Sequence, residues 1–186
     1  MSLILDQVNS EVVNHDLLAQ MEIEGVVYRQ AEDGDYPSIE RIWIEGAKIL
    51  FGLLPTDAEQ SFFQENFTVR AQHSFWVAEQ DRDILGFQSY LPLSKNPFKK
   101  DTIVESSTYI SERAQSKKVA YNLIEISLNY LKSTDVMYVG AFIGSENVGA
   151  LKLAEKFGYI MVGRIPSHIK RGKRYDNRVF MIKLIE

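Results

Sequence analysis

The sequence predicts a single α/β (α+β) domain in which strands and amphipathic helices alternate. Runs rich in β-branched and aromatic residues recur at strand length, as in residues 26–31 and 84–91. Apolar residues repeat at helical spacing between residues 119 and 131. The 186 residues are 45% hydrophobic and 25% charged, which is typical of a globular domain with a buried core.

The first 25 residues differ from the rest of the chain. They show no clear strand pattern, although residues 12–21 have the spacing of a short amphipathic helix. We therefore expect residues 1–25 to be an extension that packs on the domain or on a partner. The domain itself is expected to span residues 26–186.

Each element of the domain is predicted from a local pattern. Aspartates precede the first two helices as caps, a charged turn separates two apolar strands, and Gly158 follows the last helix where a left-handed residue is needed. The predicted elements are a strand at residues 26–31, a helix capped by Asp33 or Asp35, a helix capped by Asp57, a hairpin with its turn at residues 80–83, a strand at residues 102–110, helices at residues 119–131 and 147–157, and strands at residues 159–165 and 179–185.

Composition excludes several classes of function. The net charge of −4 argues against general binding to nucleic acid, which favours basic surfaces. The chain has no cysteine, so disulfides and thiolate chemistry are excluded. No apolar run approaches the ~20 residues that a membrane span needs, and the N-terminus lacks the pattern of a secretory signal. No histidine and carboxylate spacing indicates a metal site. We expect a cytoplasmic protein.

Three segments of the C-terminal half follow one another in an informative order. A strand-like segment, Glu105-Ser106-Ser107-Thr108-Tyr109-Ile110, leads through a polar loop into the helix at residues 119–131. A second strand-like segment at residues 137–143 precedes Glu146-Asn147-Val148-Gly149-Ala150-Leu151-Lys152-Leu153-Ala154-Glu155-Lys156-Phe157-Gly158-Tyr159. This order and the last segment resemble the GNAT acyltransferase superfamily, which uses acyl-coenzyme A.

The resemblance spans residues 26–186 and implies both a fold and an activity. The implied fold is a central mixed, mostly antiparallel sheet flanked by helices, with splayed fourth and fifth strands. Gly140-Ala141-Phe142 falls on the fifth strand, which separates from the fourth in this superfamily to admit the thioester. Residues 105–110 are similar to the Glu-x-Ser-x-Tyr-Val pattern of the phosphinothricin-type N-acetyltransferases. That branch transfers an acetyl group from acetyl-coenzyme A (acetyl-CoA) to the primary amine of small amino-acid-like molecules by direct attack.

The loop that binds the coenzyme in this superfamily is unusual here. It typically reads Arg/Gln-x-x-Gly-x-Gly/Ala, and its backbone N–H groups cradle the pyrophosphate at the start of a helix. The corresponding residues are Gln115-Ser116-Lys117-Lys118-Val119-Ala120, so Ser116 and Lys118 stand where glycine is usual. Either the backbone keeps its shape and Lys118 adds positive charge, or the side chains crowd the site and the acyl carrier is lost or changed. A lysine-capped helix start without ligand is the third reading.

The resemblance also assigns the acid and base chemistry. Glu105 would accept a proton from the ammonium group, because only the free amine attacks a thioester. An exposed, solvated strand start is the other reading of Glu105. Many GNAT enzymes use a tyrosine in the last motif to protonate the departing thiolate, but this chain has Ala154 there. Tyr159 follows the turn and is expected in the core.

The remaining assignments follow from the resemblance as a set. The coenzyme would be bound by Tyr109, Ile110, Gln115, Ser116, Lys117, Lys118, Val119, Ala120, Tyr121 and Asn147. The acceptor would be bound by Trp43, Tyr109, Lys170 and Tyr175, although core packing is the other reading of Trp43, and N-capping of a helix is compatible with the role of Asn147. Dimerisation is common in this fold, so a homodimer is one option. Two alternatives stay open: a GNAT-fold enzyme with another acyl carrier, and a catalytically silent domain that binds a ligand or partner.

Overall fold

The computed structural model describes the central part of the chain and most of its C-terminal part. The described residues are 20–67, 74–94, 96, 98, 102–114, 118–166, 168–169, 174–175 and 177–186. Within them the strands are β1 (Gln20–Ile23), β2 (Val26–Gln30), β3 (Phe75–Gln80), β4 (Asp83–Pro92), β5 (Ile103–Ile110), β6 (Tyr138–Gly144), β7 (Ile160–Ile165), β8 (His168–Ile169), β9 (Arg174–Tyr175) and β10 (Arg178–Leu184). The helices are α1 (Tyr36–Phe51), α2 (Asp57–Glu65), α3 (Val119–Leu131) and α4 (Val148–Lys156).

Eight strands form one sheet, which confirms the predicted fold class. Their order is β1-β2-β3-β4-β5-β6-β10-β7, and β8 and β9 form a separate two-stranded sheet. Neighbouring strands of the large sheet are antiparallel except β5 and β6, which are parallel. No helix among the described residues is long and apolar enough to cross a membrane.

The sheet begins earlier than the expected domain boundary. β1 pairs with β2 through a tight turn in which Glu24 and Gly25 both have positive φ, 53° and 76°. The last residues of the segment expected to be an extension therefore form the edge of the sheet. The helix predicted at residues 12–21 lies outside the described residues except for its end, which is in β1.

Local chemistry explains where the other elements begin. The start of α2 is capped by Thr56, one residue before the predicted Asp57. Thr56 accepts from the amide of Glu59, and the Glu59 carboxylate accepts from the Thr56 amide at 2.7 Å. This reciprocal capping box satisfies two helix-start donors, which a lone Asp57 would not. In the β3–β4 hairpin, Asp81 and Arg82 have φ of 52° and 67°, the two left-handed residues of a turn that matches strand twist.

The helices cover opposite faces of the sheet. Ile39 and Ile42 of α1 and Phe63 of α2 pack with aromatic residues of β3 and β4 on one face. On the other face α3 packs Leu123 against β2 and β3, and Leu128 against β5, β6 and β10. Burying each large apolar side chain contributes about 1.5–3 kcal/mol, so both layers are needed for stability.

A half-buried ion network ties β2 to β3 and to the segment before α1. Arg29 of β2 donates to Asp35 before α1 at 2.7 Å and lies 2.7 Å from the Glu79 carboxylate of β3. Its side chain is only 18% exposed. Burial alone would raise the pKa of Asp35, but hydrogen bonds from Arg29 and the Glu32 amide hold it below its usual value. The network therefore stabilises the fold above the ordinary carboxyl pKa and loses strength as the pH falls towards the depressed value.

Replacing Arg29 should be costly because it leaves two carboxylates without their cation. We expect Arg29→Met to lower the free energy of unfolding by about 3 kcal/mol, measured by urea denaturation. Arg113 provides the matched control, since its bond to Asp83 at 2.9 Å joins side chains that are 48% and 57% exposed. Arg113→Met should cost much less, because water screens this exposed pair. Equal losses in the two variants would contradict this role of Arg29.

Candidate functional site

A gap opens in the middle of the sheet between β5 and β6. The two strands pair over Ile103–Glu105 opposite Tyr138–Gly140, with Glu105 and Gly140 as the last pair. β5 continues to Ile110 and β6 to Gly144. The strands therefore diverge after Glu105 and leave a V-shaped gap. These are the strands that the sequence identified as the splayed fourth and fifth of the superfamily fold.

The backbone of β5 offers unused hydrogen-bonding groups to this gap. The Leu93 amide donates to the Ile103 carbonyl at 2.9 Å, and the Ser111 amide donates to the Leu85 carbonyl at 2.8 Å. These bonds fix the alternation of the antiparallel β4–β5 ladder, so odd-numbered residues of β5 bond to β4. The amides and carbonyls of Thr108 and Ile110 point the other way, into the gap. Ile110 is thus placed to pair with an extended ligand, whereas the Tyr109 backbone bonds to β4.

Hydroxyl groups close the narrow end of the gap on the α3 side. The Ser106 hydroxyl donates to the Gly140 carbonyl at 3.3 Å, and the Tyr159 hydroxyl is hydrogen-bonded to Ser106. Burial, together with nearby Tyr90, raises the pKa of Tyr159 far above its usual value. The Tyr90 hydroxyl lies 2.8 Å from that of Ser127. Burial raises the pKa of Tyr90 to about 12. Both phenols stay protonated and act as hydrogen-bonding groups rather than as acids.

Glu105 lies at the narrow end on the other face of the sheet. Its side chain is half-buried, and Leu91 and Gly140 are its neighbours on β4 and β6. Ser107 and Tyr109 follow on the same face because strand side chains alternate. A carboxylate, a hydroxyl and an aromatic ring therefore line one side of the gap, beneath α1.

The structure describes three of the four predicted acceptor residues. The Tyr109 ring stacks on Phe87 with centroids 5.2 Å apart and faces α1. The Trp43 ring stacks on Phe63 of α2 at 4.3 Å, so it packs between the two helices. Tyr175 lies in β9, opposite His168 of β8. Lys170 lies outside the described residues.

The start of α3 has the amides that an anion needs. Lys118 precedes the helix with φ of 53° and ψ of 10°, the left-handed conformation that glycine adopts most easily. Its own side chain does not cap α3, and the first helical bond runs from the Asn122 amide to the Lys118 carbonyl at 3.1 Å. The amides of Val119, Ala120 and Tyr121 therefore lie before the first intrahelical bond, where the helix dipole favours negative charge.

The rest of the predicted coenzyme loop is only partly described. Gln115, Ser116 and Lys117 lie outside the described residues. Asn147 caps α4, since its side-chain oxygen accepts from the Ala150 amide at 3.1 Å. This use of the oxygen leaves the N–H groups of the exposed Asn147 side chain for a ligand.

Sequence reasoning missed two residues beside the gap. The side chain of Ser106 faces α3 rather than α1, which strand alternation alone indicates. Gly46 lies inside α1, where a glycine costs about 1 kcal/mol and so signals close packing. Within the described ranges, no three His, Asp or Glu side chains are grouped as metal ligands.

Comparison with known proteins supports the same fold as the geometry of the sheet. The sequence matches the acetyltransferase (GNAT) family over residues 36–159. No curated protein matches it significantly.

Solved structures resemble it at low sequence identity. An N-acetyltransferase from Staphylococcus aureus Mu50 is 20% identical with a TM-score of 0.73, covering 87% of this chain and 99% of its own. A GNAT superfamily phosphinothricin acetyltransferase from Sinorhizobium meliloti, solved in complex with acetyl-CoA, is 19% identical with a TM-score of 0.73, covering 87% and 89%. A ribosomal-protein-alanine N-acetyltransferase from Brucella melitensis is 20% identical with a TM-score of 0.72, covering 84% and 98%.

The structural matches establish the fold, and the family match extends from the first residue of α1 to Tyr159. The superfamily resemblance seen in the sequence is thereby confirmed. The chain belongs to the acetyltransferase (GNAT) family.

Proposed function

We propose that the protein transfers an acetyl group from acetyl-CoA to the primary amine of a small amino-acid-like molecule. The observation that supports this best is the separation of β5 and β6 directly after Glu105. It brings an unpaired strand edge and a carboxylate to the same point of the sheet. Direct attack by the amine needs both groups there, one for the thioester and one for the proton.

The coenzyme fits the groups on the α3 side of the gap. Acetyl-CoA supplies the acetyl group as a thioester, a bond that a neutral amine can cleave. In this proposal the amides of Val119, Ala120 and Tyr121 bind the pyrophosphate, with Lys118 and residues 115–117 beside it. The Ile110 backbone and the Asn147 side chain bind the extended arm, with Tyr109 packed beside it. The acetyl-CoA complex of the Sinorhizobium protein supports this choice of donor.

Glu105 prepares the acceptor on the opposite face. Most primary amines are protonated at neutral pH, so Glu105 accepts a proton from the ammonium group, directly or through a water molecule. The nitrogen then bonds to the thioester carbonyl carbon, and the carbon–sulfur bond breaks. Ala154 supplies no acid, and Tyr159 and Tyr90 hold their protons, so solvent protonates the thiolate. Tyr109, Trp43, Lys170 and Tyr175 surround the acceptor in this proposal.

A second candidate is acyl transfer from a different carrier. Ser116 and Lys118 favour it, because they stand where glycine usually allows the pyrophosphate to approach. The left-handed backbone at Lys118 favours acetyl-CoA instead, because the glycine-like shape is kept.

In solution we propose a homodimer or a monomer, which sedimentation would distinguish.

Binding of acetyl-CoA should raise the melting temperature. At about 100 times its dissociation constant the ligand adds roughly 2.7 kcal/mol, which is about 5–10 °C for a chain of this size. Thermal unfolding with and without acetyl-CoA measures this, and pantetheine alone is the control that lacks the phosphates. No shift with acetyl-CoA would point to another acyl carrier or to a silent binding domain.

Removing the proposed base should slow turnover without weakening coenzyme binding. We expect Glu105→Gln to lower kcat about 10²–10⁴-fold, the usual range for general acid–base catalysis, while the Kd of acetyl-CoA stays the same. The deficit should shrink as the pH rises, because more of the amine is already deprotonated. Glu155→Gln, at an exposed carboxylate of α4, is the control. A deficit that is constant with pH would contradict the role of Glu105 as base.

The conformation of Lys118 can be tested with two variants that both remove its charge. A left-handed conformation costs a residue with a Cβ atom about 1–2 kcal/mol, and glycine avoids this cost. Lys118→Gly should therefore be about 1 kcal/mol more stable than Lys118→Ala in urea denaturation. Both should weaken acetyl-CoA binding by the same factor if only the charge matters. Equal stability of the two variants would argue against the left-handed start of α3.

A further inference from the structure

The ring of Tyr109 occupies the space beside α1 that a side chain at Gly46 would fill. A Cβ atom on Gly46 would lie 2.5 Å from Cδ1 and 2.9 Å from Cε1 of Tyr109, well inside van der Waals contact. The contact joins α1 to β5, residues 63 positions apart in the sequence. An interior helix glycine is destabilising by itself, and the closeness of this ring explains why a larger residue does not fit at this position.

The contact holds the Tyr109 ring in one place. The ring contacts both Gly46 and Phe87, with the Tyr109 and Phe87 planes 25° apart. Glu105 and Ser107 share this face of β5. The ring therefore forms an aromatic wall on the face of β5 that carries Glu105.

The neighbouring surface of α1 and α2 is apolar. Trp43, Gly46 and Leu50 follow one another on α1 at spacings of three and four residues, so they share one face of the helix. Large apolar side chains that stay exposed are Ile49 (57%) and Leu50 (47%) at the end of α1, Leu54 (62%) after it and Phe62 (63%) on α2. The exposed apolar side chains of this surface therefore suit an apolar group.

Building on the proposed function, we propose that Gly46 and Tyr109 determine acceptor selectivity, and that the acceptor is a primary amine bearing an aromatic or branched apolar group. Its nitrogen meets Glu105. Its apolar group lies against the ring of Tyr109 and the exposed end of α1, where a flat ring can stack on tyrosine.

The first test is a panel of acceptors with the wild-type protein. Phenylethylamine and 3-methylbutylamine are compared with ethanolamine and glycine, and phenylalanine and leucine with glutamate, which separates the apolar group from the carboxylate. We expect kcat/KM to favour the aromatic and branched acceptors by at least ~10-fold, as for groups that fill an apolar pocket. Equal rates or a preference for glutamate would overturn the proposed acceptor class.

The second test changes the contact itself. Gly46→Ala should displace the Tyr109 ring and reduce the preference for phenylethylamine over ethanolamine ~10-fold, with the Kd of acetyl-CoA unchanged. Gly163→Ala is the control, since no atom lies within 4 Å of its added methyl group. A Gly46→Ala variant that slows all acceptors equally would overturn the role in selectivity.

A double-mutant cycle separates the contact from a general loss of folding. Gly46→Ala should destabilise the wild type, but it should stabilise a Tyr109→Ala background, where the ring is gone and only helix propensity remains. The same sign of change in both backgrounds would overturn the contact. A wild-type protein that binds no acetyl-CoA would overturn the proposed function and this inference together, whereas binding with the wrong preference overturns this inference alone.

Discussion

The end of the β5–β6 ladder is the constraint on which the site depends. Parallel strands normally pair along their shared length, but here pairing stops at Glu105 and Gly140, and a hydroxyl of Ser106 reaches the last carbonyl. Beyond that point the sheet has an internal edge with free peptide groups. An internal edge is usually a liability in a sheet, because unpaired peptide groups are costly when buried. An extended ligand with its own amides removes this cost, and the pantetheine arm of the proposed donor is such a ligand.

The two faces of the gap serve different chemistry because different helices cover them. On the α3 side the first-turn amides and Lys118 offer positive charge to an anion. On the α1 side Trp43 packs on Phe63, and Tyr109 packs on Phe87. Glu105 is the carboxylate that β5 contributes to this side. A thioester that enters from the first face would thus meet an amine on the second. In the proposed function this separation keeps the anionic donor away from Glu105.

Local patterns predicted the elements well and long-range contacts poorly. The α3 helix and the β3–β4 turn follow from apolar spacing and turn residues, which act within a few positions. The gap was anticipated only through the family resemblance, because nothing in a strand's own sequence says where its neighbour departs. Lysine rarely adopts a left-handed backbone, so the shape at Lys118 could not be read from its residue type. The same holds for Gly46, because the contact that requires a glycine there is with β5, far along the chain.

The position of α3 has a consequence for how the molecule holds together. The sheet consists of two parts, β1–β5 and β6-β10-β7, joined by a ladder of three residue pairs. Such a narrow seam would let the parts open independently if nothing else connected them. Leu123 near one end of α3 is packed in the first part, and Leu131 at the other end is packed in the second. Because α3 packs on both parts, we expect the protein to unfold as a single cooperative unit even though its sheet is split.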